Sequence, residues 1–382
     1  MLSNADDAAL PVTVLTGFLG AGKTTILNRL VRRPEFARTL VIINEFGSIG
    51  IDHHLVAPSR EETVVEMASG CLCCTIRGDL VRLLRDAPWR FARDGVCWFD
   101  RVLIETTGLA DPAPVLHSFM ADPVLNRLYR IDAVVTVVDG VHGWETLDRQ
   151  PEAAKQAAVA DHILLSKTDL VTTDEIDRLC ERLSRLNPGA RPVRIAHGEL
   201  DPAGLFEGGL FDPSTKTEDV RRWLNAEAYG GKDHGHGDGH HHHHHDVNRH
   251  GDDIRAISLT LDEPVSDLAL ERWLDVLMMV KGAEMLRMKG LVNVIGHDAP
   301  IVLHGVQHML HEPIRLERWP DDDRRSRLIF IARGVKESEL RNTLNMIVDG
   351  MKRFELTGAD DLGLFAYRGP GGSGMSFGPV LA

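Results

Sequence analysis

The residues whose types and spacing most clearly imply chemistry are Gly17, Phe18, Leu19, Gly20, Ala21, Gly22, Lys23 and Thr24, a Gly-x-x-x-x-Gly-Lys-Thr octet. It lies between a β-branched apolar run, PVTVLT, and a helical pattern, the context that a phosphate-binding P-loop requires. Glycines let the backbone close around phosphate oxygens, while loop amides and the helix N-terminus supply dipoles that favour an anion. Lys23 should reach the β and γ phosphates, Thr24 should ligate Mg2+, and Thr25 belongs to the same nucleotide-binding set.

A phosphate loop does not name its base. Ser166-Lys167-Thr168-Asp169 follows the run HILLS, two strands beyond RVLIET. In loops of the Asn-Lys-x-Asp type the lysine stem lies along the base and the aspartate accepts the guanine N1 and N2 protons. Adenine presents an acceptor at N1, so a carboxylate, which only accepts, disfavours it. Ser166, Lys167 and Asp169 therefore point to GTP, with Ser166 in the asparagine position expected to loosen the loop and weaken nucleotide affinity. Glu105 ends RVLI and opens Glu105-Thr106-Thr107-Gly108, a carboxylate and a glycine where a switch would sense the γ phosphate; Glu105 is assigned to magnesium, directly or through water. The first switch is expected at Asn44-Glu45-Phe46-Gly47-Ser48-Ile49-Gly50-Ile51-Asp52, with Glu45 or Asp52 placing the attacking water.

Cys71, Cys73 and Cys74 crowd into four positions between the apolar run TVVEMA and a helix carrying Leu80, Leu83 and Leu84. Such a cluster reads as metal-binding or redox-active rather than as a disulfide framework. A nearby helix start lowers thiol pKa and favours the thiolates that bind soft or borderline metals. Three sulfurs leave a tetrahedron incomplete; Glu45, water or a client protein would supply the fourth ligand, giving a site from which metal can leave. Buried core cysteines and a metal-free redox pair are the competing readings, and core packing is the expectation for Cys97 and Cys180. His234, His236, His240, His241, His242, His243, His244, His245 and His250 form a second potential ligand set in a segment of low apolar content, able to capture zinc, nickel or cobalt. A low-complexity spacer is the alternative. His304, His308 and His311 are candidates to face one metal or to serve as packing residues.

These residues must be positioned by a scaffold. The runs PVTVLT, TLVIIN, RVLIET, IDAVVTVV, DHILLS and RPVRIA alternate with helix-length segments, which predicts a mostly parallel sheet covered on both faces. Ile26, Leu27, Leu30 and Val31 would pack the first helix on it. Past the His-rich segment, IRAISLTL, LVNVIG, APIVLH and SRLIFIA read as strands. One helix opens after Ser266 or Asp267, and another carries Leu340, Leu344 and Ile347. The expected class is α/β, with a P-loop GTPase domain at 1–228, a His-rich linker at 229–252, a smaller α+β domain at 253–367 and a flexible tail at 368–382. At 382 residues two cores are anticipated. The 43% hydrophobic and 26% charged content excludes wholesale disorder, and a net charge of −13 opposes non-specific attraction to nucleic acid. No apolar run approaches a bilayer span and the start lacks a secretory pattern, so the expectation is a cytoplasmic protein without membrane or nucleic-acid partners.

Taken together, GFLGAGKTT, NEFGSIGID, GCLCC, ETTGLADP, SKTD and the His-rich linker resemble the CobW-like family of metallochaperone GTPases. Arg287-Met288-Lys289-Gly290 and VLHGVQH are similar to that family's C-terminal domain. The resemblance implies that Cys71, Cys73 and Cys74 hold zinc, or cobalt, and that GTP hydrolysis drives its release to a client metalloenzyme. A homodimer pairing across the nucleotide is left open. A metal buffer dominated by the histidines and a cobalt-insertion accessory of cobalamin synthesis are the other functions considered. Ser48, where the family commonly has an acidic residue, puts a carboxylate metal ligand in doubt.

Overall fold

The computed structural model of the chain describes residues 9–46, 64–69, 73–190, 192–195, 253–311 and 313–357. The apolar runs form β1 (Leu10–Gly17), β2 (Thr39–Phe46), β3 (Val64–Ser69), β4 (Arg101–Glu105), β5 (Tyr129–Asp139), β6 (His162–Ser166) and β7 (Pro192–Arg194). Among the described residues these make one sheet in the order β3-β2-β4-β1-β5-β6-β7, every pair parallel. The segment VVEMAS, read above only as an apolar run, is the edge strand β3. The chain runs to one side of β1 and then to the other, so the crevice at the carboxyl ends of β4, β1 and β5 is a switch point, where open α/β sheets bind ligands.

One face of the sheet is covered by α1 (Lys23–Leu30), whose Ile26, Leu27 and Leu30 join Leu15, Val41 and Val135 in one apolar cluster. The other face carries α2 (Cys73–Arg90), α3 (Ala113–Ala121), α4 (Pro123–Leu128), α5 (Gly143–Arg149), α6 (Pro151–Val159) and α7 (Thr173–Leu186). Leu84, Phe119, Leu125, Ala157 and Leu183 form the cluster on that side. A capping box opens α7, with the Glu175 amide donating to Thr172 Oγ1 (3.4 Å) and the Thr172 amide to Glu175 Oε2 (2.9 Å).

The second unit is an antiparallel sheet of β8 (Ile254–Leu261), β9 (Met285–Val292), β10 (Ile301–Val306), β11 (Met309–Leu310), β12 (Ile314–Arg315) and β13 (Ser326–Arg333), ordered β8-β13-β9-β10-β11 with β12 beside β10. The helices α8 (Asp267–Lys281) and α9 (Glu337–Thr357) contribute Trp273, Leu277, Leu340 and Leu344 to its core, and Trp273 meets Phe330 edge-on at 6.0 Å. Ser266 is the N-cap of α8, its hydroxyl accepting the Ala269 amide at 3.3 Å.

The strand expected at LVNVIG is displaced. It begins at Met285 and ends at Val292, and Gly296 follows in the left-handed region at φ 84°. The polar Arg287 and Lys289 conceal it in sequence, yet both are buried, because they meet Asp161 across the join between the two units. Ile254, Leu286, Val306 and Ile331 belong to the same apolar cluster as α2 to α7, so the second sheet lies between its own helices and the first unit. No helix among the described residues is long and apolar enough to cross a membrane.

Candidate nucleotide and metal site

The P-loop leaves β1 at the centre of the sheet. Gly17 backs onto β5, where a Cβ would stand 2.3 Å from the Val137 carbonyl, and Gly22 caps α1 at φ 95°, in the left-handed region that a side chain strains. The Lys23 ammonium reaches back across the loop, donating to the Gly17 carbonyl (2.9 Å) and the Phe18 carbonyl (3.2 Å). A cation so placed, with the amides that open α1, gives a phosphate cradle its charge.

Beside it, the parallel register sets Glu105 opposite Leu15 of β1 and Ile43 of β2. Thr24 Oγ1 donates to Glu105 Oε1 at 3.1 Å, bringing together the hydroxyl and carboxylate assigned to magnesium. Glu105 is buried, and a second link, Thr106 Oγ1 to Thr16 Oγ1 at 2.8 Å, ties the next residue to the end of β1. Gly108 presses on the phosphate loop: a Cβ there would lie 2.5 Å from the Leu19 amide nitrogen. Behind this segment Gln156 of α6 donates to the carbonyls of Gly108 (3.4 Å) and Ala110 (2.9 Å).

The base loop joins the same edge. The Ser166 hydroxyl donates to the Ala21 carbonyl at 2.6 Å, tying β6 to the phosphate loop. The serine expected to loosen this loop is thus tied to the phosphate loop. Lys167 is half-buried with its ammonium on Asp139 Oδ2 at 2.7 Å, and Asp169 is exposed on the short 3-10 turn Thr168–Leu170. A cavity of about 260 Å³ opens behind the loop, lined by Phe18 to Ala21 and by Asp139, His142, Thr146, Gln156 and Lys167, among others. Thr25 is exposed on the first turn of α1.

Of the proposed metal ligands, the backbone positions of Glu45, Cys73 and Cys74 are described. Cys73 and Cys74 open α2, directly beyond β3, while Cys71 lies outside the described residues. Glu45 sits near the carboxyl end of β2, paired in register with Ala68 of β3. The strand β3, which precedes α2 in the chain, lies two strands from β4 and its Glu105. Ser48, Asp52 and the histidines His234, His236, His240 to His245 and His250 lie outside the described residues.

His304, His308 and His311 do not converge. His304 and His311 stack in parallel at 5.1 Å, whereas His308 packs edge-on against His117 at 4.9 Å. Alternation along the β10–β11 hairpin explains the split, since His308 falls in the turn between the two strands. Burial pushes His304 well below the ordinary histidine range and His311 to about 4, with Arg287 acting in the same direction on both, so the pair packs as neutral rings. Among the described residues no group of three His, Cys, Asp or Glu is placed to hold a metal. Cys97 and Cys180 are half-buried beside the core, and burial raises the Cys97 thiol, against a ligand role.

Asp139, Gln156 and Asp111 escaped the sequence reading. Asp139 ends a buried apolar strand, as Glu105 does, and that placement marks it in the sequence. Asp111 accepts the Ala113 amide (3.0 Å) just before α3 and accepts from Gln307 of the second unit (2.9 Å), a contact that only tertiary packing creates.

Residues 11–194 match the family described as CobW/HypB/UreG, nucleotide-binding domain, and residues 254–348 match the cobalamin synthesis protein cobW C-terminal domain. The chain is 32% identical to the zinc chaperone YjiA of Escherichia coli over 334 residues, covering 87% of this chain and 96% of that protein. It is 31% identical to the zinc chaperone CobW of Pseudomonas aeruginosa over 373 residues, 88% of this chain and 91% of that protein. Its fold is similar to the crystal structure of Zn(II)-bound YjiA GTPase from E. coli, with a TM-score of 0.63 and 25% identity over 89% of this chain and 99% of that one.

Proposed function

The chain belongs to the CobW/HypB/UreG family, with the cobW C-terminal domain appended, and from that premise we propose that it is a GTPase that carries zinc and releases it to a client protein under control of the bound nucleotide. The observation that carries the reading is the meeting of Thr24 and Glu105, 3.1 Å apart, beside the phosphate loop. A hydroxyl and a buried carboxylate are hard oxygen donors that fit magnesium. Thr24 and Glu105 would hold that ion, which when bound supplies positive charge to the β and γ phosphates of GTP.

The protein's own groups do the rest. Lys23 turns from the loop carbonyls to the phosphate oxygens, the amides of the α1 start orient them, and Asp169 selects guanine over adenine. Gly108 abuts Leu19, so a γ phosphate that displaces the phosphate loop also displaces the segment after Glu105. Cys71, Cys73 and Cys74 hold zinc as cargo, with Glu45 or a client side chain completing the shell; the helix start at Cys73 favours their thiolate form. Glu45 or Asp52 places the attacking water. In this reading residues 1–228 are the GTPase unit, 229–252 a histidine segment that gathers metal and 253–367 the unit that meets the client. The relatives' description as zinc chaperones favours zinc over cobalt as cargo.

The test is zinc affinity, measured by competition with a chromophoric chelator, for the protein without nucleotide, with GDP and with a non-hydrolysable GTP analogue. A variant carrying Cys71→Ala, Cys73→Ala and Cys74→Ala is measured alongside. The expected result is an affinity that changes with nucleotide in the native chain and loses that dependence in the variant. Equal affinities in all states would sink the coupling and move the metal to the histidine segment.

A further inference from the structure

Asp139 closes β5 one strand from the phosphate loop and stands opposite Ser166 in the β5–β6 register. We infer that Asp139 is the positioning residue of the base reader, holding the Lys167 side chain as a platform for the purine; the inference rests on the guanine-nucleotide reading above.

The geometry fixes both ends of the contact. Asp139 Oδ2 lies 2.7 Å from the Lys167 ammonium, and its other oxygen accepts the amides of Val141 (2.8 Å) and His142 (3.2 Å). The carboxylate is therefore held by the turn that follows β5 and is itself largely buried, with a side-chain exposure of 10%. Lys167 approaches from a left-handed backbone conformation, φ 54° and ψ 31°, uncommon for a residue with a Cβ. The two strand ends are docked tightly around it. The Gly140 amide donates to the Ser166 carbonyl at 2.9 Å, and a Cβ at Gly140 would lie 2.7 Å from that same oxygen.

A lysine stem free at its tip samples many rotamers, and a base that stacks on it must freeze them. Anchoring the ammonium removes that cost before the nucleotide arrives, so the stem meets the purine already extended. Because Asp139 is held by backbone amides, this pair does not have to order two mobile side chains, unlike most exposed ion pairs. Asp139 touches no part of the nucleotide in this scheme and acts through Lys167 alone. Asp169 keeps the task of choosing guanine.

The test is a double-mutant cycle in the full-length protein, using a fluorescent GDP analogue for affinity and steady-state GTP hydrolysis for kcat and KM. Asp139→Asn keeps an oxygen for the Val141 and His142 amides and removes the charge that Lys167 meets. It should raise the GDP Kd and the GTP KM about tenfold, as expected for loss of a charge-assisted contact, with kcat within about twofold. In a Lys167→Met background Asp139→Asn should cost nothing further. Asp139→Ser, which also retains a turn acceptor, should repeat the pattern and serves if Asp139→Asn does not fold. Unchanged GDP affinity, or losses that simply add in the double variant, would overturn the inference and leave Asp139 as a turn-capping residue. A native chain that binds no GDP would instead sink the guanine reading, and this inference with it.

Discussion

Ser166 joins the loop after β6 to the loop after β1, the two loops proposed to bind the nucleotide. Its hydroxyl is buried and donates to the Ala21 carbonyl, so cutting it leaves that acceptor without the bond and frees the base loop from the phosphate loop. A neutral hydrogen bond of this kind contributes about 1 kcal/mol, which corresponds to about fivefold in affinity. Ser166→Ala should therefore weaken GDP binding by about that factor in calorimetry, with the zinc capacity of the protein unchanged. No loss would mean that the Ala21 contact is incidental to binding. Lys23→Ala is the sharper change, expected to abolish productive phosphate binding while the proposed zinc binding persists; loss of both would indicate misfolding rather than a missing phosphate contact.

At the level of elements, the segment from Glu105 to Asp111 carries more constraints than its length suggests. Glu105 meets Thr24, Gly108 abuts Leu19, Gln156 holds two carbonyls from behind, and Asp111 accepts from Lys155 of α6 (3.5 Å) and from Gln307 of the second unit. Gln307 has a φ of 52°, in the left-handed region, at the turn between β10 and β11. Adding a methyl group at Gly108 would place it 2.5 Å from backbone, where no side-chain rotation relieves the clash. Gly108→Ala should force the phosphate loop and this segment apart, lowering kcat by about a hundredfold or more at saturating GTP, roughly what loss of one positioned transition-state contact costs. A kcat equal to that of the native chain would show that the two loops need not touch during turnover.

The whole molecule is joined by a buried charge cluster. Arg287 of β9 donates to the Val159 carbonyl and to Asp161 Oδ1 (2.5 Å), Lys289 reaches the same oxygen (3.1 Å), and Asp161 Oδ2 accepts the Val134 amide (3.0 Å). Burial alone would raise the Asp161 carboxyl, but Arg287 and Lys289 outweigh it and hold the group at about 2. Removing the shared carboxylate would leave two cations buried without it, so Asp161→Asn should cost about 3–5 kcal/mol in urea unfolding. A cost below about 1 kcal/mol would mean that the join opens readily to water.

Acid should act on the same join through the stacked imidazoles. His304 and His311 have folded pKa values below the ordinary 6.5, so as pH falls the unfolded chain takes up their protons first. Their contribution is complete above about 6.5 and declines as pH falls toward about 4, whereas the Asp161 contribution survives until pH drops below 3.8 toward about 2. The thermal midpoint should therefore fall from pH 6.5 to pH 4. His311→Gln should flatten that slope, and an equal slope in the variant would assign it to other groups.

The parallel sheet and the strand, glycine loop and helix that carry Gly17 to Thr24 were legible in the residues themselves. The reason is local: a P-loop needs only a strand, its glycines and a helix start, and a buried parallel strand announces itself as an unbroken apolar run. Where the reading slipped, polarity was compensated at long range. The strand Met285–Val292 hid behind Arg287 and Lys289 because their partner lies 126 and 128 positions away in the chain. Likewise His304, His308 and His311 are close in sequence, but the hairpin turn separates His308 from the other two. The sequence alone determined which chemical groups are available, since that follows from residue type and short-range spacing. Tertiary structure decided that Asp139 faces Lys167, that Gln307 reaches Asp111 and that one carboxylate joins the two units, because each of these contacts exists only once distant segments are packed.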